Sequence, residues 1–264
     1  MSAQSSGTQT RQIVWITGAS SGIGRELALS FAHDGHRVAV SARNAEKLAE
    51  LEALSSNIQA FPVDVTDTAA VAATVTQIET ALGPIDLAVL NAGVWHPMTA
   101  SRYNLEKAKA SMDVNYTGVT NALDRVMKNM IARGRGHLAL VASVAGYRGL
   151  PKGAAYAPTK AALISLAESL YADLKIKGVR MTIINPGFIA TPMTAANTFP
   201  MPFIVSTEDA VKAMRRGLDI NRFEIVFPTR MAIMMKTLRV LPYWLFFQAT
   251  GAIARREPPP KPDA

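Results

Sequence analysis

The sequence predicts an α/β protein: a doubly wound, seven-stranded parallel sheet flanked by helices on both faces, folded as a single domain. Two observations carry this expectation. Seven short runs rich in β-branched residues alternate with longer helix-like segments, the pattern of strand–helix–strand units joined by right-handed crossovers. The runs are also near-continuously apolar, as strands covered on both faces must be, rather than apolar at every second residue. With 264 residues, 49% of them hydrophobic and 18% charged, the chain can bury a large core, which excludes global disorder.

Taken in order, the strands are expected at 13–17, 37–41, 58–63, 85–90, 137–142, 180–184 and 224–227. Helical patterns lie between them, among them 25–33, 45–54 and 161–174, the last with Leu163, Leu166, Ala167 and Leu170 on its apolar side. The first ten residues, MSAQSSGTQT, lack the charge and apolar stretch of a signal peptide, so 1–11 reads as a disordered polar tail. The core domain is expected over 12–228, followed by an amphipathic extension at 229–257 and a loose, proline-rich tail at 258–264. No run reaches the roughly 18–20 apolar residues of a spanning helix. The chain has no cysteine, which excludes disulfides and thiolate zinc sites. The net charge of +8 is scattered, without a basic run, so nucleic acid is not an expected partner.

Behind the first strand stands TGASSGIG, Thr17 to Gly24. Glycine weakens any helix or strand it enters, so three in eight residues imply a backbone that must turn sharply or meet a ligand closely. At the first strand-to-helix turn of a parallel sheet, free N–H groups and the positive helix end bind phosphate. Gly18 would permit the turn, Gly22 the approach of a pyrophosphate, and Gly24 tight helix-on-strand packing. Arg25, not lysine, follows Gly24, which argues against a mononucleotide P-loop. The ligand is then a dinucleotide. Nineteen residues beyond Gly24, where a fold preferring NAD usually holds a carboxylate on the ribose, stand Ala42 and Arg43. A guanidinium can grip a 2′-phosphate, so NADP(H) is expected over NAD(H).

Ser143 closes the fifth run, at the carboxyl end of its strand. Tyr156 and Lys160 are four residues apart and share one helix face. Pro158 between them is tolerated only in a first helical turn, which puts the pair at the helix start, facing the same crevice. A free phenol has a pKa of about 10. A neighbouring ammonium and an oxidised nicotinamide are expected to lower it, making Tyr156 an acid or base, while Ser143 holds the substrate oxygen.

With these residues the sequence resembles the single-domain short-chain dehydrogenase/reductases, which have a Rossmann-type fold. The resemblance covers about residues 12–227 and rests on Thr17-Gly18-Ala19-Ser20-Ser21-Gly22-Ile23-Gly24, Asp64-Val65, Asn91-Ala92-Gly93, Asn115, Ser143, Tyr156, Lys160 and Asn185-Pro186-Gly187 through Thr191. It implies that Tyr156 is the general acid in carbonyl reduction and the base in the reverse reaction. Lys160 would bind the nicotinamide ribose, Ser143 orient the carbonyl, and Asn115 hold a water on a proton relay. Asp64 and Val65 would meet the adenine, Asn91, Ala92 and Gly93 line the cofactor, and Pro186, Gly187, Ile189 and Thr191 border the nicotinamide. Where the family often has a second asparagine, Leu90 stands here.

None of the four histidines has metal-ligand spacing, and no metal is expected. His33 and His36 read as solvated caps, and His137 as a strand start. His96 and Trp95, following Asn91-Ala92-Gly93, are candidates for substrate contact or for plain loop packing. In the extension, Met231, Met234, Met235, Leu238 and Leu241 recur at helical spacing until Pro242 breaks the pattern before the aromatic patch 243–247. Core or subunit packing is one reading. The other is a lid for a lipid-like substrate, or peripheral membrane contact through 230–247. The segment 188–207 reads as a mobile lid that decides the substrate.

The protein expected from all this is an NADP(H)-dependent oxidoreductase moving hydride between nicotinamide and a carbonyl or secondary alcohol, with reduction the working direction. Its substrate would be an apolar or lipid-like small molecule. A cytoplasmic homodimer or homotetramer is implied, with peripheral contact at the inner face of a membrane left open. The alternatives on this fold are an epimerase or dehydratase that retains its cofactor, and a non-catalytic NADP(H)-binding protein.

Overall fold

A computed structural model of the protein describes residues 11–254 apart from 196 and 198, so the expected tail 1–11 (Arg11 apart), the last residues 255–257 of the expected extension and the tail 258–264 lie outside the described residues. Its seven parallel strands are β1 (Ile13–Thr17), β2 (Arg37–Ser41), β3 (Ile58–Ala60), β4 (Leu87–Leu90), β5 (Gly136–Val141), β6 (Val179–Pro186) and β7 (Glu224–Phe227). They are ordered β3-β2-β1-β4-β5-β6-β7. The chain therefore winds outward from β1 in one direction, returns to the middle, and winds outward again from β4. The crevice between the carboxyl ends of β1 and β4 is the topological switch point, where open α/β sheets take their ligands.

Alternate residues of each strand feed two cores. On one face Val14, Ile16, Val38, Val40 and Val89 pack against α1 (Gly22–His33), α2 (Ala45–Glu52) and α8 (Thr207–Asp219). On the other, Trp15, Ala88, Leu90, Leu138 and Leu140 pack against α3 (Thr68–Ala81), α5 (Gly118–Ala132) and α6 (Ala157–Ile176). The small helix α4 (Leu105–Met112) runs through a π turn at Asp113–Thr117 into α5. The one-turn α7 (Pro192–Ala195) lies within the segment read as a lid.

Boundaries shift where local chemistry overrides the pattern. β3 stops at Ala60 rather than residue 63, although the N–H groups of Phe61 and Val63 still donate to the Val40 and Ala42 carbonyls; Pro62 between them sits where this edge strand needs no donor. β4 starts at Leu87, since the N–H of Ile85 turns to the Glu79 carboxylate. β6 runs further at both ends than 180–184, being paired on both sides. α1 begins at Gly22 and α6 at Ala157, so the glycines and Pro158 occupy first turns. The lid segment is also less loose than expected: Ala190 and Val205 bond to each other, and Val205 donates to Phe188.

The extension forms α9 (Thr229–Val240) and α10 (Tyr243–Ala254), separated at Leu241–Pro242. Met231 and Met235 are buried in the core shared with α5 and α6, with Met234 and Leu238 against it. Packing thus accounts for the methionine stripe. No helix among the described residues is long and apolar enough to cross a membrane.

His36 is not a solvated cap. It is buried edge-on to Phe31, and its Nδ1 accepts from the N–H of Gln12 at 3.1 Å. His137 is buried too, with Nε2 2.9 Å from the Thr182 hydroxyl. Since that hydroxyl gives its only proton to the Arg222 carbonyl, His137 must be the donor. Burial, with Arg180 nearby, pulls its pKa from the usual 6.5 to about 3. Below pH 6.5 the unfolded chain takes up a proton that the folded ring refuses until about pH 3. Stability therefore falls as pH falls across that window, by up to about 1.4 kcal/mol per pH unit. His137→Gln, which keeps a donor but does not titrate, is expected to flatten this part of the slope in urea unfolding measured across the window.

Candidate active site

Thr17 ends β1 and Asn91 follows β4, and the two bind these strand ends together. The Thr17 hydroxyl accepts from the N–H groups of Asn91 and Ala92 at 3.0 and 3.1 Å. The Asn91 amide donates to the carbonyls of Thr17 and Gly18. This approach leaves no room for a side chain at Gly18, whose φ is +70° and whose added Cβ would lie 2.7 Å from the Ala92 Cα. At Gly24 an added Cβ would lie 2.5 Å from the Gly18 carbonyl oxygen, the close helix-on-turn packing expected from the sequence.

The start of α1 is open to an anion. Ser21, its N-cap, is extended and makes no side-chain cap bond, and the first turn has no acidic residue. Its leading N–H groups therefore lack the partners that a capping oxygen would supply. They face a groove lined by Ser20, Ser21, Gly22 and Ile23, then by Arg43, Asp64 and Val65 on one side and Asn91, Ala92, Gly93 and Thr191 on the other. An anion-receptive helix end, glycines that let backbone approach, and a long groove across the switch point fit a dinucleotide. Gly18 and Ala42 line it too, as do Asn44, Val63, Val94, Val114, Pro192 and Met193, which carry no sequence signal.

Arg43 is exposed at one end of this groove, with no carboxylate in ion-pair distance among the described residues. Asp64, its neighbour, spends its carboxylate on the N–H and hydroxyl of Thr66, which hold its pKa below the usual range despite partial burial. Pro186, Gly187 and Ile189 do not line the groove. The Pro186 carbonyl accepts from the Ser143 hydroxyl at 3.3 Å, Gly187 is pressed against Met231 of α9, and the Ile189 side chain is core.

Past Gly93, Ser143, Tyr156 and Lys160 converge. Ser143 follows β5, and its hydroxyl also accepts from the Ala145 N–H. Tyr156 is the N-cap of α6 and Lys160 lies one turn on, its Nζ 5.5 Å from the centre of the phenol ring. Lys160 is buried and donates to the Val141 carbonyl at 2.8 Å. Burial lowers its pKa to about 8. The phenol departs from the expectation: burial pushes it up to about 12, outweighing the Ser143 hydroxyl, which acts the other way. The ammonium does not offset this because it is drawn towards Val141.

Asn115 lies in the π turn, fully buried. Its Oδ1 accepts from the Val94 N–H at 2.7 Å, and its Nδ2 donates to the Val94 carbonyl and the Thr159 hydroxyl. Gly93 fits between Asn115 and Lys160, since a Cβ there would sit 3.3 Å from Oδ1 and 3.6 Å from Nζ.

On the substrate side Trp95 meets Tyr156 edge-on at 5.0 Å between ring centres, and Phe199 meets Trp95 at 6.4 Å and Phe188 at 6.0 Å. The Trp95 indole donates to Asn197 of the lid segment. Of the two loop candidates, Trp95 thus borders Tyr156, while His96 bonds to Ser111. Behind the catalytic loop, the buried Tyr147 donates to Glu224, which also accepts from Asn185 and from Lys236 of α9. Burial and that carboxylate keep the Tyr147 phenol well above its usual range. Sequence spacing offers no sign of this cluster.

A fold and site of this kind define a nucleotide-dependent oxidoreductase, and the comparisons agree. A short chain dehydrogenase model matches residues 12–200. An uncharacterized oxidoreductase of Myxococcus xanthus is 42% identical over 245 residues, 91% of this chain and 95% of that one. A short-chain dehydrogenase from Streptomyces avermitilis superposes with a TM-score of 0.80 at 22% identity, over 94% of this chain and 98% of that one. The closed form of a serine dehydrogenase complexed with NADP+ superposes with a TM-score of 0.75 at 26% identity, over 82% and 94%. The chain belongs to the short-chain dehydrogenase family, oxidoreductases that bind a nicotinamide cofactor.

Gly24→Ala is expected to lower the unfolding free energy by about 1–3 kcal/mol through overpacking, even though alanine is the better helix former. Gly149→Ala, at a glycine with nothing within 4 Å, serves as the neutral control in the same denaturation series.

Proposed function

We propose that this protein is an NADP(H)-dependent reductase of carbonyl compounds with an apolar body. The observation that carries the reading is the convergence of Ser143, Tyr156 and Lys160 beside a groove whose glycine turn fits a dinucleotide. The choice of NADP(H) is supported by the exposed Arg43 at the groove's far end and by the NADP+ complex of the serine dehydrogenase relative. The aromatic wall of Trp95, Phe188 and Phe199 favours an apolar substrate body.

The first turn of α1 would hold the pyrophosphate, Arg43 the 2′-phosphate, and Lys160 the nicotinamide ribose. When bound, the reduced nicotinamide supplies the hydride. Ser143 would turn its hydroxyl from Pro186 to the substrate oxygen and hold it against Tyr156. Tyr156 gives its proton to that oxygen. A phenol held at about 12 stays protonated near neutrality, the form that reduction requires. Lys160 and Asn115 would then restore the proton, with Oδ1 of Asn115 keeping a second lone pair for a water.

Tyr156→Phe is expected to lower carbonyl turnover by about a hundred- to ten-thousandfold while NADPH still binds, as read by reduced-nicotinamide absorbance and equilibrium dialysis. An unchanged rate removes Tyr156 from the chemistry. Arg43→Ala is expected to weaken NADPH binding about ten- to a hundredfold and spare NADH, since a charge-assisted bond contributes roughly 1.5–3 kcal/mol. Equal losses for both end the NADP(H) assignment. A carbonyl panel graded by chain length, run with both cofactors, tests the reaction itself. Net NADPH consumption supports the reductase, substrate conversion without net consumption points to the epimerase or dehydratase, and tight binding with no conversion to the non-catalytic protein.

A further inference from the structure

The two C-terminal helices leave an outward face that the site does not use. In α10, Phe246 and Thr250 are buried one turn apart, while Tyr243, Trp244 and Phe247, on the adjoining side of the helix, are 70%, 66% and 61% exposed. Tyr243 and Phe247 stack on each other at 5.7 Å, so their rings form one continuous apolar surface. In α9, Ile233 and Val240 are exposed as well, and so are the cations Arg230 and Arg239, the latter with its guanidinium 5.8 Å from the Tyr147 ring centre. Large aromatics exposed together in this way mark an interaction surface.

Charge decides the partner. Between residues 225 and 256 the chain carries five cations, Arg230, Lys236, Arg239, Arg255 and Arg256, and no carboxylate, and of these Lys236 is already paired with Glu224. A two-fold contact would bring a second set of the same cations to this patch and no carboxylate from within 225–256 to pair with them. A surface of anionic lipid offers the opposite charge across its whole extent. Tyrosine and tryptophan, apolar bodies with one polar atom, suit the boundary between headgroups and acyl chains. Each unpaired cation near such a surface strengthens the attraction.

We propose that the outer face of α9 and α10 docks this protein on anionic membrane surfaces, with Tyr243, Trp244 and Phe247 entering the interface and Arg230 and Arg239 meeting lipid phosphates. Arg148 makes the docking consequential for the enzyme. It follows Tyr147 in the loop between Ser143 and Tyr156, and its guanidinium donates to the Arg239 and Leu241 carbonyls at the end of α9. The same group lies 4.6 and 4.4 Å from the ring centres of Tyr243 and Phe246. The docking helix is thus tied to the catalytic loop, and the site is carried to a surface where apolar carbonyl compounds collect.

Removing α9 would strip Met231 and Met235 from the core, so the test uses exposed point variants of the full chain. Wild type and W244A/F247A are floated with vesicles of phosphatidylcholine alone or mixed with phosphatidylglycerol, at low and high salt. Matching far-ultraviolet circular dichroism and cooperative thermal unfolding of the two proteins confirm that the variant is folded. Wild type is expected to float with the phosphatidylglycerol vesicles at low salt and to be released by high salt. The variant is expected to lose about tenfold or more in lipid affinity. Failure of the wild type to float, equal flotation of the variant, or a smaller sedimenting species for the variant in lipid-free buffer would each overturn the proposal, the last because it makes the face a contact between copies. None of these readings depends on the nicotinamide or on which carbonyl is reduced.

Discussion

Thr17 and Asn91 sit at the ends of neighbouring strands that the chain reaches seventy-four residues apart. Their mutual hydrogen bonds hold the glycine turn after β1 against the loop after β4. The contact is possible because Gly18 has no Cβ where Ala92 approaches. Much of the site follows from it. The turn is pinned so that the uncapped start of α1 points into the crevice, and the loop is pinned so that Gly93 lies beside Lys160 and Val94 beside Asn115. A looser meeting of these strands would leave the phosphate-receptive amides and the proton-carrying side chains unaligned.

The same close packing imposes an electrostatic cost that the site turns to use. Burial disfavours charge on both partners, pushing Lys160 down and Tyr156 up. The ammonium answers its desolvation by bonding the Val141 carbonyl, which keeps it from fully stabilising a phenolate. The result is a neutral phenol beside a cation that is readily discharged, a pair suited to giving a proton away. Proton acceptance in the reverse direction would need further positive charge in the cleft, such as an oxidised nicotinamide brings.

Behind Ser143, two consecutive residues join the candidate site to the end of the chain. Tyr147 reaches Glu224 and through it Lys236, and Arg148 reaches the last carbonyls of α9 and the rings of α10. The extension is therefore not an appendage. Its inner face completes the core through Met231 and Met235, its polar contacts brace the loop that carries Ser143, and only its outer aromatics are free to meet something else.

What the amino-acid order determined by itself was local. Runs of β-branched residues placed seven strands, the spacing in TGASSGIG placed a phosphate-receptive turn, and Pro158 placed Tyr156 and Lys160 at a helix start, because each depends on neighbours within a few residues. Strand ends, the buried state of His36, the packing of the methionine stripe and the raised Tyr156 phenol were decided by the tertiary structure. So were the contacts of Trp95 with Tyr156 and of Phe199 with Trp95, and the Tyr147–Glu224–Lys236 cluster. Each of these joins side chains far apart in sequence, whose ionisation and burial are set by what the fold brings against them and by how much water it removes, and no periodicity or motif in a single chain records either quantity.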